Sequence, residues 1–270
     1  MSPVNYGNVF QNLVEVSAAS ALAIAVVHSV TFAIGRRIGR YNVVDVAWGV
    51  GFVAIAVVAA TLGHGDPARR WLLLALVTIW GLRLSWHIQR KTVGKGEDRR
   101  YAALLRGATT AQVVRKVFVL QGLITWFVSF PLQLSAVAGP TPGPLIPVTV
   151  LGVAVWVVGV TFEAVGDRQL KVFKDDPANR GVVMNRGLWA WTRHPNYFGD
   201  AAVWWGLWLI SIHGWPSLLT VGSPLLMTYF LVHVTGARLT EKLMAGRPGF
   251  GEYQARTAFF FPRPPRSRRR

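Results

Sequence analysis

Long apolar stretches separated by short polar segments recur along this chain. Seven of the stretches approach the roughly 20 apolar residues that a helix needs to cross a bilayer. They occupy approximately residues 13–34, 42–62, 71–88, 113–138, 145–165, 197–213 and 215–237. Because the hydrocarbon layer offers the backbone no hydrogen-bond partners, the pattern predicts an all-α integral membrane protein with about seven transmembrane helices.

The composition agrees with a membrane location. The 270-residue chain is 52% hydrophobic but only 15% charged, whereas a soluble domain carries about 25% charged residues. The net charge of +17 would suit nucleic acid, but no soluble basic module is left outside the predicted spans, so we expect no nucleic-acid partner. The chain has no cysteine and no His-Glu-x-x-His motif, so disulfides are excluded and we expect no metal site.

The basic residues predict the orientation, since cytoplasmic loops retain Lys and Arg. Of the 29 Lys and Arg residues, 26 fall in loops on one side of the predicted spans and only Arg69 and Arg70 fall on the other. This alternation predicts an N-terminus outside and a C-terminus in the cytoplasm. No Lys or Arg precedes Arg36, so the first apolar stretch lacks the basic region of a signal peptide and is expected to be a retained span.

Three polar clusters lie at the helix ends predicted to face the cytoplasm. In the first, Arg83, His87 and Arg90 recur at spacings of four and three residues, so they share one helix face. Such a face could bind phosphate, because arginine forms bidentate hydrogen bonds with phosphate oxygens. Alternatively, Arg83 extends to the lipid headgroups and His87 is an interfacial residue.

The second cluster follows the fifth apolar stretch. Glu163 and Asp167 lie one helical turn apart, where two like charges repel each other unless a ligand hydroxyl or a cation lies between them. The pair therefore favours a donor-rich ligand such as a ribose. In the alternative interpretation, this is a solvated helix end in which Asp167 pairs with Lys171.

The third cluster runs from Asn185 to Asp200 and combines charged, amide and aromatic side chains before the sixth apolar stretch. Pro195 favours a helix start and Asn196 could cap that helix, whose free N–H groups would bind phosphate readily. The alternative is a basic, aromatic belt at the membrane interface.

Two further positions carry candidate chemistry. Asp45, near the start of the second span, is either an acid that faces the protein interior or part of a capping box with Asn42. Glu241, together with Tyr253 and Arg256, either covers a pocket formed by the three polar clusters at the cytoplasmic helix ends or has a structural role.

The string Arg193-His-Pro-Asn-Tyr-Phe-Gly-Asp200 resembles the steroid 5-alpha-reductase superfamily, in particular its bacterial branch of membrane proteins. The resemblance continues across most of the chain in the ordered blocks Asp45 to Gly49, Trp80 to Ser85, Gly96 to Tyr101, Glu163 to Lys174, and the closing Glu241, Tyr253 and Phe261-Pro262. The superfamily includes sterol reductases and is similar to isoprenylcysteine methyltransferases.

This resemblance implies that the C-terminal half binds NADPH, without a Rossmann fold, in a membrane-embedded cavity that opens to the cytoplasm. Matched by position, the cofactor-binding residues would be Arg83, Glu163, Asp167, Lys174, Arg186, Arg193, His194, Asn196, Tyr197, Asp200, Glu241 and Tyr253. We therefore expect a lipid-substrate region at 1–138, a cofactor-binding region at 139–262 and a disordered basic tail at 263–270.

Steroid 5-alpha-reductases polarise the substrate ketone with a glutamate and a tyrosine. The second span here has no glutamate and Trp80 stands near the tyrosine position, so we expect Asp45 to replace the glutamate and Tyr101 or His87 to supply the donor. The expected function is an NADPH-dependent reductase of the bacterial plasma membrane, which reduces an activated C=C bond in a lipid or steroid-like substrate from the bilayer. The alternatives are a methyltransferase that uses S-adenosylmethionine and a non-enzymatic lipid-binding or scaffold protein.

Overall fold

The computed structural model describes residues 6–265, so the last five residues of the predicted basic tail lie outside the described part of the chain. The described residues are largely helical. In chain order the α-helices are α1 (Tyr6–Ile38), α2 (Val44–Leu62), α3 (Pro67–Thr92), α4 (Arg99–Leu104), α5 (Thr110–Val113), α6 (Leu120–Val128), α7 (Phe130–Val137), α8 (Ile146–Asp175), α9 (Pro195–Ser211), α10 (Trp215–Leu218), α11 (Gly222–Tyr229), α12 (Ala237–Met244) and α13 (Phe250–Arg256). Residues 6–265 contain no β-strand, only an isolated bridge between Thr192 and Ala258, so the predicted all-α class is confirmed.

Six helical stretches of the described chain are long and apolar enough to cross a membrane. They are Gly7–Ile38, Val44–Leu62, Pro67–Thr92, Thr110–Val128, Gly143–Asp175 and Trp215–Met244. The remaining predicted span, 197–213, forms α9, which has 17 residues. At 1.5 Å per residue this helix is about 26 Å long, shorter than the roughly 30 Å hydrocarbon core. The seven predicted spans thus correspond to six long helical stretches and one shorter helix.

The predicted fourth span, 113–138, is interrupted. A π-helical stretch at Val114–Val119 precedes α6, which ends at Val128, and α7 begins at Phe130. Pro131 explains the break, because proline has no N–H to continue the hydrogen-bond ladder and its ring would clash with the carbonyl four residues earlier.

The chain divides into two compact units, residues 1–146 with 211–223 and residues 147–210 with 224–270. In the first unit, α2 and α3 are in close backbone contact. A Cβ atom on Gly49 would lie 2.2 Å from the carbonyl oxygen of Gly81, so glycine is required there. Beside this contact, the fully buried rings of Phe52 and Trp80 pack with their centroids 5.7 Å apart.

Arg69 and Arg70, which the charge pattern leaves on the opposite side from the other loop cations, both bind backbone carbonyls. The buried Arg69 side chain donates to the carbonyl oxygens of Ser135, Ala138 and Gly139 at 2.8–3.1 Å. Arg70 donates to the carbonyls of Ala60 and Gly63 at the end of α2. Cations at helix C-termini satisfy carbonyls that have no partner within the helix, so these two arginines have a structural role.

In the second unit, glycines bring α8 and α9 together. Gly152, Gly159 and Gly166 recur every seven residues on α8, and Gly199 and Gly206 recur at the same spacing on α9. A Cβ atom on Gly199 would lie 2.5 Å from the Gly159 carbonyl oxygen, and one on Gly206 would lie 2.7 Å from that of Gly152. Small residues allow this close approach in membrane helices, and the contact sets α8 beside the start of α9.

Candidate functional site

In the first unit, Asp45 and Tyr101 form a hydrogen-bonded pair. The Tyr101 hydroxyl donates to Asp45 Oδ1 at 2.5 Å, and Arg100 Nη2 lies 3.5 Å from Asp45 Oδ2. Tyr101 is buried in a cluster with Val44 and Phe118. The structure thus brings together two of the three residues that the sequence marked as catalytic.

A clamp between two loops accounts for this pairing. Glu97 accepts hydrogen bonds from the backbone N–H groups of Tyr41 at 2.5 Å and Asn42 at 3.0 Å. In return, Arg40 Nη1 donates to the carbonyls of Thr92 and Lys95 at 2.8 and 2.7 Å. The segment before α2 is therefore tied to the segment before α4. Glu97 was not among the predicted site residues, although it lies in the Gly96 to Tyr101 block that carried part of the resemblance.

The capping-box interpretation of Asp45 is wrong. Val43 occupies the N-cap position of α2, and no side chain caps that helix. The Asn42 amide instead faces the Gly96 carbonyl at 3.5 Å. Asp45 therefore uses its carboxylate for Tyr101 and Arg100.

Gln121 extends the pair. Its Nε2 donates to the Tyr101 hydroxyl at 3.1 Å, so this hydroxyl has a donor on one side and a carboxylate on the other. Gln121 Oε1 is buried, with no hydrogen-bond partner among residues 6–265. Sequence reasoning missed Gln121, whose signal was an amide within the apolar stretch 113–138.

Electrostatics keep the Tyr101 hydroxyl protonated. Burial raises the pKa of Tyr101, and the neighbouring Asp45 carboxylate raises it further. At neutral pH, Tyr101 is therefore a hydrogen-bond donor and not a phenolate. Its single proton is donated to Asp45 in this structure, so it would stabilise negative charge on a bound carbonyl oxygen after that hydrogen bond is exchanged.

His87 and Arg83 lie half-buried on α3, one turn apart. The third member of their predicted face, Arg90, is exposed and places its guanidinium 4.9 Å from the centroid of the Trp86 ring. This cation–π contact occupies one side of a guanidinium that was expected to face phosphate.

In the second unit, buried acids line the contact between α8 and α9. Glu163, Asp167 and Asp200 are each at least nine-tenths buried. Asn196 Nδ2 donates to Asp167 Oδ1 at 3.3 Å, which joins the second predicted cluster to the third. Lys171 pairs with Asp175 at 2.5 Å, so the alternative pairing of Asp167 with Lys171 is wrong.

Asn196 does not cap α9. The helix begins at Pro195, and Asn196 lies within its first turn, where Oδ1 accepts from the N–H of Tyr197 at 3.1 Å. The Tyr197 ring is half-buried and stacks on His194, with centroids 5.8 Å apart. Proline at the first helical position explains the start, because its missing N–H would have no partner there.

Arg193, His194 and Glu241 meet in a compact polar cluster. Arg193 Nε donates to Glu241 Oε1 at 2.6 Å, and Arg193 Nη1 donates to the carbonyls of Gln254 and Thr257 at 2.9 and 2.7 Å. His194 Nε2 lies 3.2 Å from the same Glu241 oxygen, while Gln254 donates to the other at 2.9 Å. These contacts tie the segment before α9 to α12 and α13.

Burial shifts the pKa values of His194 and of the nearby Tyr253, which both lie outside the spans. It lowers the pKa of His194, against the opposing effect of the Glu241 carboxylate. It also raises the pKa of Tyr253, whose hydroxyl donates to the Trp189 carbonyl at 2.6 Å. Both groups are therefore neutral at pH 7, with Tyr253 bound to the backbone.

Lys174 and Arg186, the other two predicted contributors of this unit, are exposed cations. The Arg186 guanidinium lies 5.8 Å from the ring centroid of Phe173, near the end of α8. Among the residues that the structure describes, no group of three or more His, Asp or Glu side chains could hold a metal ion.

Comparison with known proteins supports the resemblance seen in the sequence. Residues 31–257 match DUF1295, a family described as a protein of unknown function. An uncharacterised protein of the fission yeast Schizosaccharomyces pombe is 25% identical over 238 residues, an alignment that covers 75% of this chain and 66% of the yeast protein. No solved structure matches the chain. The chain thus belongs to the DUF1295 family, a member of the steroid 5-alpha-reductase-like group.

Proposed function

We propose that this protein is a membrane reductase that uses NADPH to reduce an activated C=C bond in a lipid substrate. The observation that carries the proposal is the 2.5 Å hydrogen bond between Tyr101 and Asp45. The resemblance led us to expect an acid and a hydroxyl donor, and a protonated Tyr101 held between Asp45 and Gln121 suits that task.

In the proposed reaction, Tyr101 acts on the carbonyl conjugated to the C=C bond. NADPH, when bound, would supply the hydride to the β-carbon of the C=C bond, and the α-carbon would take up a proton from water, which completes the reduction. A proton on Asp45 would reverse the hydrogen bond between the two residues, which frees the Tyr101 hydroxyl to donate to the substrate oxygen. Stabilising that oxygen as negative charge develops lowers the barrier, because the donor is already in place and shielded from water.

The second unit supplies side chains that suit a dinucleotide. The exposed Lys174 and Arg186 fit phosphate groups, and the Asp167 carboxylate with the Asn196 amide fits ribose hydroxyls and a carboxamide, which need acceptors and donors together. We propose that these four residues bind the cofactor on the cytoplasmic side of the plasma membrane, and that Arg193, His194, Glu241 and Tyr253 hold the surrounding backbone.

One observation favours the alternative, a methyltransferase that uses S-adenosylmethionine. Arg193 already donates to Glu241 and to two backbone carbonyls, which leaves it little capacity for phosphate. A cofactor without phosphates needs fewer arginines.

Calorimetric titration of the purified protein with each cofactor separates the two functions. Micromolar binding of NADPH, followed by its oxidation when an enone such as testosterone is added, supports the reductase. Binding of S-adenosylmethionine without NADPH binding transfers the assignment to methyl transfer.

A further inference from the structure

A groove-shaped cavity of about 480 Å³ lies in the first unit, between α1 and the stretch 114–126. Three small residues, Ala21, Ala25 and Gly122, leave the space open between the two helices, and aromatic side chains such as Phe118 and Trp126 form part of its wall. Its volume falls within the roughly 300–1,000 Å³ of small-molecule sites, which are mostly apolar with a few polar groups.

His28 is the polar group that distinguishes this cavity from an ordinary lipid-facing groove. It lines the cavity and is only 6% exposed. Neither ring nitrogen has a hydrogen-bond partner among the described residues. The ring meets Phe118 edge-on, with centroids 6.1 Å apart, so the protein surrounds the imidazole with apolar surface.

Gly122 keeps the space beside the imidazole free. A Cβ atom at this position would lie 3.5 Å from His28 Cδ2 and 3.9 Å from Nε2. A larger side chain at Gly122, which lines the cavity, would therefore take up space next to this edge of the ring.

The chemistry of the cavity selects its occupant. A hydrocarbon chain would fill the apolar walls but leave both imidazole nitrogens unpaired, which is unfavourable for a buried polar group. A strongly polar molecule would satisfy His28 but not the apolar walls. An apolar molecule with a single hydroxyl fills the apolar walls and also pairs one imidazole nitrogen, because a hydroxyl can donate to the acceptor nitrogen or accept from the donor nitrogen of a neutral imidazole.

We propose that the cavity between α1 and residues 114–126 binds an apolar alcohol whose oxygen hydrogen-bonds to His28. The site is continuous with the packing around the Asp45–Tyr101 pair, because Phe32 and Phe118 belong both to the cavity wall and to the cluster that buries Tyr101. Binding there does not require the cofactor, so the proposal is independent of the reductase assignment.

Two matched photoreactive probes test the proposal on the full-length protein in lipid nanodiscs. One is a long-chain alcohol with a diazirine on its chain, and the other is the same chain without the hydroxyl. We expect the alcohol to label segments 21–32 and 114–126, and unlabelled alcohol to compete at least tenfold better than the alkane.

Three variants locate the binding determinant. His28→Phe keeps the ring volume and removes both nitrogens, so the advantage of the alcohol over the alkane should fall about tenfold, as expected for one buried hydrogen bond. Gly122→Leu fills the cavity and should abolish labelling by both probes. Leu22→Phe, on the exposed face of the same helix, should change neither.

Two results would overturn the proposal. Equal labelling by alcohol and alkane in the wild type would mean that the groove takes only acyl chains. Labelling outside both segments would mean that the cavity is not the site. If His28→Phe is not monodisperse, His28→Asn, whose shorter side chain retains a hydrogen-bonding amide, should reduce the alcohol preference, and a preference equal to that of the wild type would count against His28.

Discussion

Tyr101 and Asp45 are separated by 56 positions, yet the Tyr101 hydroxyl donates to Asp45 Oδ1 at 2.5 Å. A short helix, α4, presents the tyrosine, and the Glu97 clamp holds the start of α2 next to it. The arrangement creates a buried proton donor with a carboxylate behind it.

Replacing Tyr101 with Phe removes this donor while conserving the ring. We expect turnover to fall by about a hundredfold or more, since loss of one hydrogen-bond donor to a developing oxyanion costs roughly 10²–10³, with NADPH affinity unchanged. Single-turnover kinetics and calorimetry measure the two quantities. Tyr229→Phe, at a 55% exposed tyrosine, is the control, and a fully active Tyr101→Phe protein would remove Tyr101 from the mechanism.

Asp167 should be required for cofactor binding. Its carboxylate is buried and bound to Asn196, so Asp167→Ala should weaken NADPH binding at least tenfold, about 1.4 kcal/mol, in a calorimetric titration. The matched control is Asp175→Ala, two turns further along α8, where the carboxylate pairs with Lys171 in solvent. Equal affinities in the two variants would contradict the cofactor assignment.

Arg69→Met should destabilise the protein more than Arg90→Met on the same helix. Arg69 binds three carbonyls and the hydroxyls of Ser135 and Thr141. Methionine can make none of these hydrogen bonds, each of which contributes about 0.5–1.5 kcal/mol to stability. Arg90 is exposed. Thermal unfolding in detergent gives the comparison, and equal midpoints would show that Arg69 is dispensable.

Gly199→Ala should disrupt the contact of α8 with α9. The added Cβ would lie 2.5 Å from both the Glu163 backbone nitrogen and the Gly159 carbonyl oxygen, so the helices must separate. We expect a lower melting temperature and weaker cofactor binding. Gly251→Ala is the control because its Cβ meets no atom within 4 Å, and it should behave as the wild type.

His194 should make stability dependent on pH. Since burial lowers its pKa in the folded state, the unfolded chain takes up a proton first as the pH falls below the ordinary value of about 6.5. Stability from this group is therefore present above that value and lost below it. His194→Gln should show a smaller fall in melting temperature between about pH 7 and about pH 5 than the wild type.

The contribution of His194 is separable from that of its charged neighbours, Arg193 and Glu241, because both remain in the variant. An unchanged pH profile in His194→Gln would show that another group causes the loss.

The sequence by itself determined the all-α membrane class, because hydropathy over some 20 residues is a local property. It also identified the string from Arg193 to Asp200, because the unusual composition of this string can be recognised without knowing which residues it contacts. The same local reasoning predicted a span at 197–213, where the 17-residue α9 has the apolarity of a span but is shorter than the six long helical stretches.

Only the tertiary structure decided which side chains meet. Tyr101 pairs with Asp45, and Arg193 binds Glu241, although the two residues of each pair lie far apart in the chain. His28 lies in an apolar cavity whose walls come from two separate segments. Such contacts depend on how closely helices approach, and glycines such as Gly159 and Gly199 control that approach through backbone contact. Hydropathy reports which residues avoid water, but the distance between two helices is set by the atoms that touch.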